Sequence, residues 1–290
     1  MAGRLVQSGF VLILVLLALV ILATVMVISG RRACQLALLA QARQEELQLK
    51  WGVISCRSAL LPLAEYLIQS GREDPRRRPT ARACRLTLSG MDFRMVLADE
   101  QAKANVNTLF RRRGESVSTV LTDLQLNNYC PLPVMLRPAR LQGGRQPGEP
   151  AYAYSTPDHF LAYRSPRELV NVDQAENGPL ARLTCWSDGR LNYLGADQAS
   201  LRAVLEGLVD EQEMAALTRF RQENPDATVE EAFARLQLKP ERAAVLRQYL
   251  TDFSTCFSLW IVAQGRVRQW YRLYISGDDQ PGNSPGVLIW

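Results

Sequence analysis

Hydrophobic and polar positions divide the chain into stretches of different rhythm. The first has no rhythm at all: FVLILVLLALVILATVMVIS, Phe10 to Ser29, runs without a charged residue. As a helix it extends about 30 Å, enough to cross a bilayer's hydrocarbon core. From Arg31 to about Leu61 the apolar residues become periodic. Leu36, Leu39, Leu47, Val53, Ile54 and Leu60 recur at helical spacing between charges such as Arg43, Glu45 and Glu46. That stretch holds no proline and one glycine, Gly52. The pattern predicts one long helix, its first half in lipid and its second half amphipathic, closed by Pro62 and GREDPRRRPT.

Beyond it the period changes. ACRLTLSGMDFRMVLADE alternates and is rich in β-formers, so it predicts a hairpin or strand pair, and NTLFRRRGESVSTVLTDLQLNN predicts a helix. Residues 128–165, crowded with proline and glycine, form an irregular connection. Helix starts follow: Ser165 as N-cap with Pro166 and Glu168, then a second capping box at Thr228 and Glu231, then Pro240 in a first turn. Two further helices flank Gly207. FSLWIVAQGRVRQWYRLYI alternates around an Ala-Gln-Gly-Arg turn and predicts a β-hairpin from about Phe257 to Ile275. Strands therefore flank a helical block. The fold class is α+β: an antiparallel sheet built from both ends of the soluble chain, packed on the long helix, with an inserted all-α domain.

Composition narrows the chemistry. The chain has 290 residues, 47% hydrophobic, with a net charge of +5, which suits a folded protein and reads as solubility rather than nucleic-acid affinity. His159 is the single histidine, so His-rich metal centres are excluded and a triad has one candidate base, set in a loop where it is read as non-catalytic. Six cysteines, at 34, 56, 84, 130, 185 and 256, show no C-x-x-C pair, and their pairing stays open. Nucleophile elbow, phosphate loop and metal cluster are missing, so an enzyme is not expected. Asp278-Asp279 reads as a solvated turn, because calcium takes six or more oxygens.

DEQAKANVNTLFRR, Asp99 to Arg112, holds the densest polar signal. Adjacent carboxylates on a strand point to opposite faces, so Asp99 and Glu100 do not make an acid–base pair. Asn105 and Asn107 read as turn and N-cap residues, and Asp99 and Glu100 as holding neighbouring backbone or arginines. The stretch is a structural corner.

These motifs, in this order, resemble the minor pseudopilin K family of the type II (general) secretion pathway. Gly9-Phe10 resembles the junction cut by prepilin peptidase. DEQAKANVN keeps Asp99, Glu100, Lys103, Asn105 and Asn107, with Ala102 in place of the usual glycine. SPREL at 165–169 resembles the family's helix start, SDGRLNYLGADQASLRAVL keeps Asn192, and STCFSLWIVAQGRVRQWYRLYI resembles the closing hairpin. The resemblance implies a leader at 1–9 removed before Phe10, which is then N-methylated, and a transmembrane segment at 10–29. It further implies a pilin-like domain at 30–104 and 255–290, with a SAM-like helical domain inserted at 105–254. The fifth residue after the cut is Leu14, where most pilin-like subunits carry a glutamate; the family shares this departure and is placed at the pseudopilus tip. Expected partners are minor pseudopilins I and J, prepilin peptidase and inner-membrane lipid, with the head in the periplasm. Counting Arg31 and Arg32 against only Arg4 and the amino terminus would place the head on the opposite side. Many members carry an acidic Asp-Trp-x-Asp stretch absent from 128–165, so calcium is not carried over and no cofactor is expected. The alternative is a minor pilin of a DNA-uptake machine, contacting nucleic acid through Arg76–Arg78 and Arg111–Arg113; these triplets are read as lying outside the helical block, and neither nucleic acid nor a small-molecule substrate is expected.

Overall fold

A computed structural model of the protein describes residues 3–70, 79–117, 119–120, 124, 135–136, 161–162, 179–265, 269–276 and 288–289. The chain divides at Trp51/Gly52 into two compact units. Helix α1, Gly3–Leu60, supplies every described residue of the first and enters the second. From Phe10 to Gln44 every residue of it is exposed. Thr24, a polar residue in its apolar half, donates its hydroxyl to the Val20 carbonyl and so hides its hydrogen-bonding group within the helix.

Pro62 interrupts the helix without ending it. A proline lacks an amide to donate, and the chain tightens into a 3-10 turn at Leu61–Leu63 before α2, Ala64–Ser70, continues. The expected apolar face also needs correction. Leu36, Leu39, Leu47 and Ile54 are exposed, whereas Leu49, Val53 and Cys56 are buried. At about 100° per residue, Val53 and Leu60 lie on one side of the helix while Leu36, Leu47 and Ile54 lie about 100° or more around it. Spacing shows which residues share a face; it does not show which face is covered.

In the second unit, strands β1 (Ala81–Leu88) and β2 (Met91–Asp99) form the expected hairpin. Its two-residue turn, Ser89-Gly90, has φ of 51° and 77°, the doubly positive turn that matches strand twist. Short strands follow: β3 (Ala104–Asn105), β4 (Met135–Leu136), β5 (Leu161–Ala162), β6 (Leu183–Thr184), β7 (Leu191–Asn192) and β8 (Leu250–Thr251). Strands β9 (Phe257–Gln264) and β10 (Gln269–Ile275) make the closing hairpin, and β11 is Leu288–Ile289. The main sheet is antiparallel in the order β1-β2-β9-β10-β11, so its first two strands come from the start of the second unit and the others from its end.

Both faces of this sheet are covered. On one, Phe93, Met95 and Leu97 pair across to Ala263, Ile261 and Leu259. The last turns of α1 close this face: a side chain at Gly52 would meet the Phe93 ring at 2.2 Å, and Arg57 stacks 5.0 Å above the Tyr274 ring. Glycine at 52 lets helix and sheet approach closely. On the other face Val96, Trp260 and Leu273 join the core of a helical block. Each large apolar side chain so buried stabilises the fold by about 1.5–3 kcal/mol.

That block contains α3 (Val106–Arg113), α4 (Gln198–Leu205), α5 (Glu211–Glu223), α6 (Val229–Arg235) and α7 (Pro240–Arg247). Thr228 and Glu231 make the expected capping box, and Pro240 opens α7. Asp210 with Glu213 makes a second box, and Gly207, with φ of 78°, turns the chain between α4 and α5. Helices in 105–254 share one continuous core with the sheet, and the same span contributes two parallel two-residue ladders, β3 with β6 and β7 with β8. The expected box at Ser165–Glu168, His159, Cys130, Arg76–Arg78 and Asp278-Asp279 lie outside the described residues. Cys34, Cys56 and Cys84 are free thiols.

Candidate functional site: a buried polar corner

Strand β2 ends where the chain needs to turn sharply and re-enter as a helix. Asp99 sits at that end, buried, and its Oδ1 accepts the Gln101 and Ala102 amides at 2.9 and 3.2 Å. Its Oδ2 accepts the Ser254 hydroxyl at 2.6 Å and the Asn192 Nδ2 at 3.4 Å. One carboxylate thereby ties its own turn to two segments that are remote in sequence. Burial dominates its acidity: desolvation pushes the carboxyl up to about 6, against the opposing pull of the Ser254 hydroxyl and the two amides, with Glu100 adding to the rise.

Glu100 points elsewhere. Its Oε1 accepts the Lys103 ammonium at 2.6 Å and the Ser258 hydroxyl, and all three residues are buried. The expectation of arginine partners is therefore corrected: a lysine three residues on fills that role, because the turn at 100–103 folds its side chain back over the carboxylate. Gln101, also buried, carries the corner further, its Oε1 accepting the Thr255 amide and its Nε2 donating to Asp188.

Asn105 caps α3 as expected. Its Oδ1 accepts the Asn107 and Thr108 amides, and its Nδ2 donates to Ser187 Oγ at 2.9 Å. Asn107 is not a cap. It lies inside the first turn of α3 and donates its Nδ2 to the Cys185 carbonyl at 3.1 Å, joining the helix to the segment after β6. Asn192 repeats the chemistry of Asn105 at the end of β7: its Oδ1 accepts the Leu194 and Gly195 amides while its Nδ2 reaches Ser254 and Asp99. Each asparagine thus ends a strand of a parallel two-residue ladder and turns the chain toward a helix.

The structure therefore brings Asp99, Asn192 and Ser254 together, places Glu100 with Lys103 and Ser258, and sets Asn105 and Asn107 against 185–187. Ser254, Ser258, Gln101 and Ser187 carried no local signal for this role, since the groups they join across the corner lie about 60 to 160 residues away. Gly195 leaves space where it is needed: a Cβ there would come 3.2 Å from the Ala102 Cβ and 3.5 Å from Asp99. Asp99, Asn192 and Gly195 also line a shallow cleft with Glu65, Asp252 and Phe257. Among the described residues no group of three His, Cys, Asp or Glu could hold a metal ion. The corner's polar groups bind one another and the backbone; what they accomplish is to lock sheet and helices together.

Arginines 111–113 are not set apart from the helices. They end α3, where Arg112 and Arg113 donate to the carbonyls of Ala203, Val204 and Glu206 at the end of α4. Cations there satisfy carbonyls left open by the helix terminus. Gly9, Phe10 and Leu14 lie on α1; Phe10 and Leu14, four residues apart, share a face, and both are exposed.

No family model matches the sequence, and no curated protein matches it. Among solved structures, the chain is similar to one in the crystal structure of the GspK–GspI–GspJ complex from the enterotoxigenic Escherichia coli type 2 secretion system. The identity is 15% and the TM-score 0.44, over 87% of this chain and 97% of that one. At that distance the likeness assigns neither role nor partner to this chain.

Proposed function

We propose that this protein is a membrane-anchored, non-catalytic minor pseudopilin that caps the tip of a type II secretion pseudopilus together with minor pseudopilins I and J. The observation that carries the proposal is the unbroken helix Gly3–Leu60, with a Gly-Phe junction at 9–10, no charge from 10 to 29 and leucine at 14. A carboxylate in hydrocarbon is costly and is tolerated where a neighbouring amine pairs with it. With Leu14 in that place, the chain offers no such grip to the amine of an adjoining subunit, which suits an end position. The helical block enlarges the head and would obstruct further addition beyond it. Residues 10–29 hold the chain in the inner membrane, with the head on the periplasmic side.

Sequencing the mature amino terminus from the native membrane tests this. A methylated phenylalanine at residue 10 is expected, with minor pseudopilins I and J recovered from the solubilised membrane. A polypeptide that still begins at Met1, or a head accessible only from the cytosol, overturns it.

A further inference from the structure

Trp270, Arg272 and Tyr274 of β10 pair across to Ala263, Ile261 and Leu259, so all three stand on the sheet face that carries Phe93, Met95 and Leu97. Arg57 reaches this face from the last turn of α1, its guanidinium 5.0 Å from the centre of the Tyr274 ring. Arg272 stacks in the same way on Trp270, at 4.8 Å. Along the strand Arg272 and Tyr274 are about 7 Å apart. Two cations and two aromatic rings therefore share one stretch of the head.

Neither cation has an anion. Arg57 is half-buried, yet among the described residues it makes no hydrogen bond or ion pair and touches only the Tyr274 ring. Arg272, also half-buried, donates to the Tyr271 carbonyl at 2.8 Å and has no carboxylate within ion-pair distance among those residues. Tyr274 is 6% exposed, and its hydroxyl has no hydrogen-bond partner among them. Burial pushes that hydroxyl's pKa up while Arg272 and Arg57 pull it down, so both positive fields reach it. A guanidinium presents five donors in a flat fork that matches a carboxylate. Half-buried without an acceptor, it has given up water and gained no bond.

We infer that Arg57, Arg272 and Tyr274 receive an Asp or Glu side chain of a partner protein, with Trp270 as the wall on which that partner packs. Tryptophan, tyrosine and arginine dominate the binding energy of protein interfaces, which favours a protein carboxylate over a small free anion. Against a second copy of this chain stands its net charge of +5. Its helical block also has few carboxylates to offer, since Glu206, Glu211, Glu213 and Glu230 each already hold an arginine. The site is built wholly from the second unit, so it does not depend on residues 10–29 crossing a membrane.

The test uses the full chain in its native membrane, with a photo-crosslinking residue in place of exposed Gln269 and the captured peptide sequenced. Capture of a different protein is expected, at a surface segment carrying Asp or Glu. R57Q/R272Q should reduce capture at least tenfold, and Y274F, which removes one hydrogen-bond donor, about threefold. R85Q, which removes an exposed arginine on β1, should change it less than about twofold. R57E/R272E should abolish capture, and an Asp or Glu to Arg exchange on the captured segment should restore it, which a misfolded head could not do. If R57Q/R272Q fails to accumulate, R57K and Y274F carry the test. R57K keeps the charge and loses the fork, for a loss of about threefold. Capture that ignores R57Q/R272Q, or that falls equally with R85Q, overturns the proposal. So do a captured segment without Asp or Glu, and crosslinks only to a second copy, to lipid or to Asp278-Asp279 of the same chain. Methylation of Phe10 bears on the pseudopilin reading alone, so the two can fail separately.

Discussion

Two regions of this protein invert the usual arrangement in opposite senses. Residues 10–29 are apolar and lie outside; residues 99–107 are largely polar and lie inside. The first is intelligible only if its surroundings are not water, since a continuous apolar surface of that length is stable in hydrocarbon. The second is stable because most of its buried polar groups have found partners, and an unpartnered one would cost about 1–3 kcal/mol. One region is governed by solvent and the other by hydrogen-bond satisfaction. A substitution that is mild in one is therefore severe in the other.

Removing half of the buried ion pair should have the largest effect. Glu100→Ala leaves the Lys103 ammonium buried without its carboxylate, and a loss of about 3–5 kcal/mol is expected in chemical unfolding. The double substitution E100L/K103M should recover most of that loss, because it removes both charges; failure to recover would mean the pair's geometry, not its charge balance, holds the turn. The mirror experiment puts a charge into the apolar region. Leu19→Arg should cost about 2.5–3.5 kcal/mol of insertion and shift the chain from the alkali-resistant membrane fraction to the soluble one. An arginine tolerated there would show that residues 10–29 are buried in protein and not in lipid.

Asp99 sharpens the comparison through pH. Its folded pKa, about 6, lies above the ordinary carboxyl value of 3.8, so between those values the folded protein keeps a proton that the unfolded chain releases. Stability contributed by that proton is complete below about pH 4 and is lost as pH rises through 6, amounting to about 2–3 kcal/mol. The difference in unfolding free energy between the native protein and Asp99→Asn, followed from pH 4 to 7, should narrow or reverse along that slope. A difference independent of pH would show that Asp99 is ionised throughout. The smallest effect is expected at Asn105. Asn105→Ala removes the α3 cap and the bond to Ser187, for about 1–2 kcal/mol, while Asn105→Asp keeps the capping oxygen and should cost less.

Much of the architecture was legible along the chain. The charge-free run, the alternation of 81–99 and 257–275, and the capping box at 228–231 are local signals, and local backbone chemistry decides them. The corner was legible in part. Asn105 announced itself as a cap because capping acts over three residues, but Asn107 has the same side chain and a tertiary role, which no spacing reveals. The lysine partner of Glu100 was close in sequence yet misassigned, since arginine and lysine differ little on paper and only the folded turn selects one.

The helix divides the matter most plainly. Its length, continuity and apolar start follow from composition: an uninterrupted run without proline or charge has no other stable conformation in lipid. Which of its two apolar faces lies buried does not follow, because both faces have helical spacing and burial depends on a partner. Only tertiary structure chose Val53 and Cys56 over Ile54, by setting Gly52 against the Phe93 ring. The polar corner was settled the same way: Ser254 and Ser258 became partners of Asp99 and Glu100 only when β9 was laid beside β2.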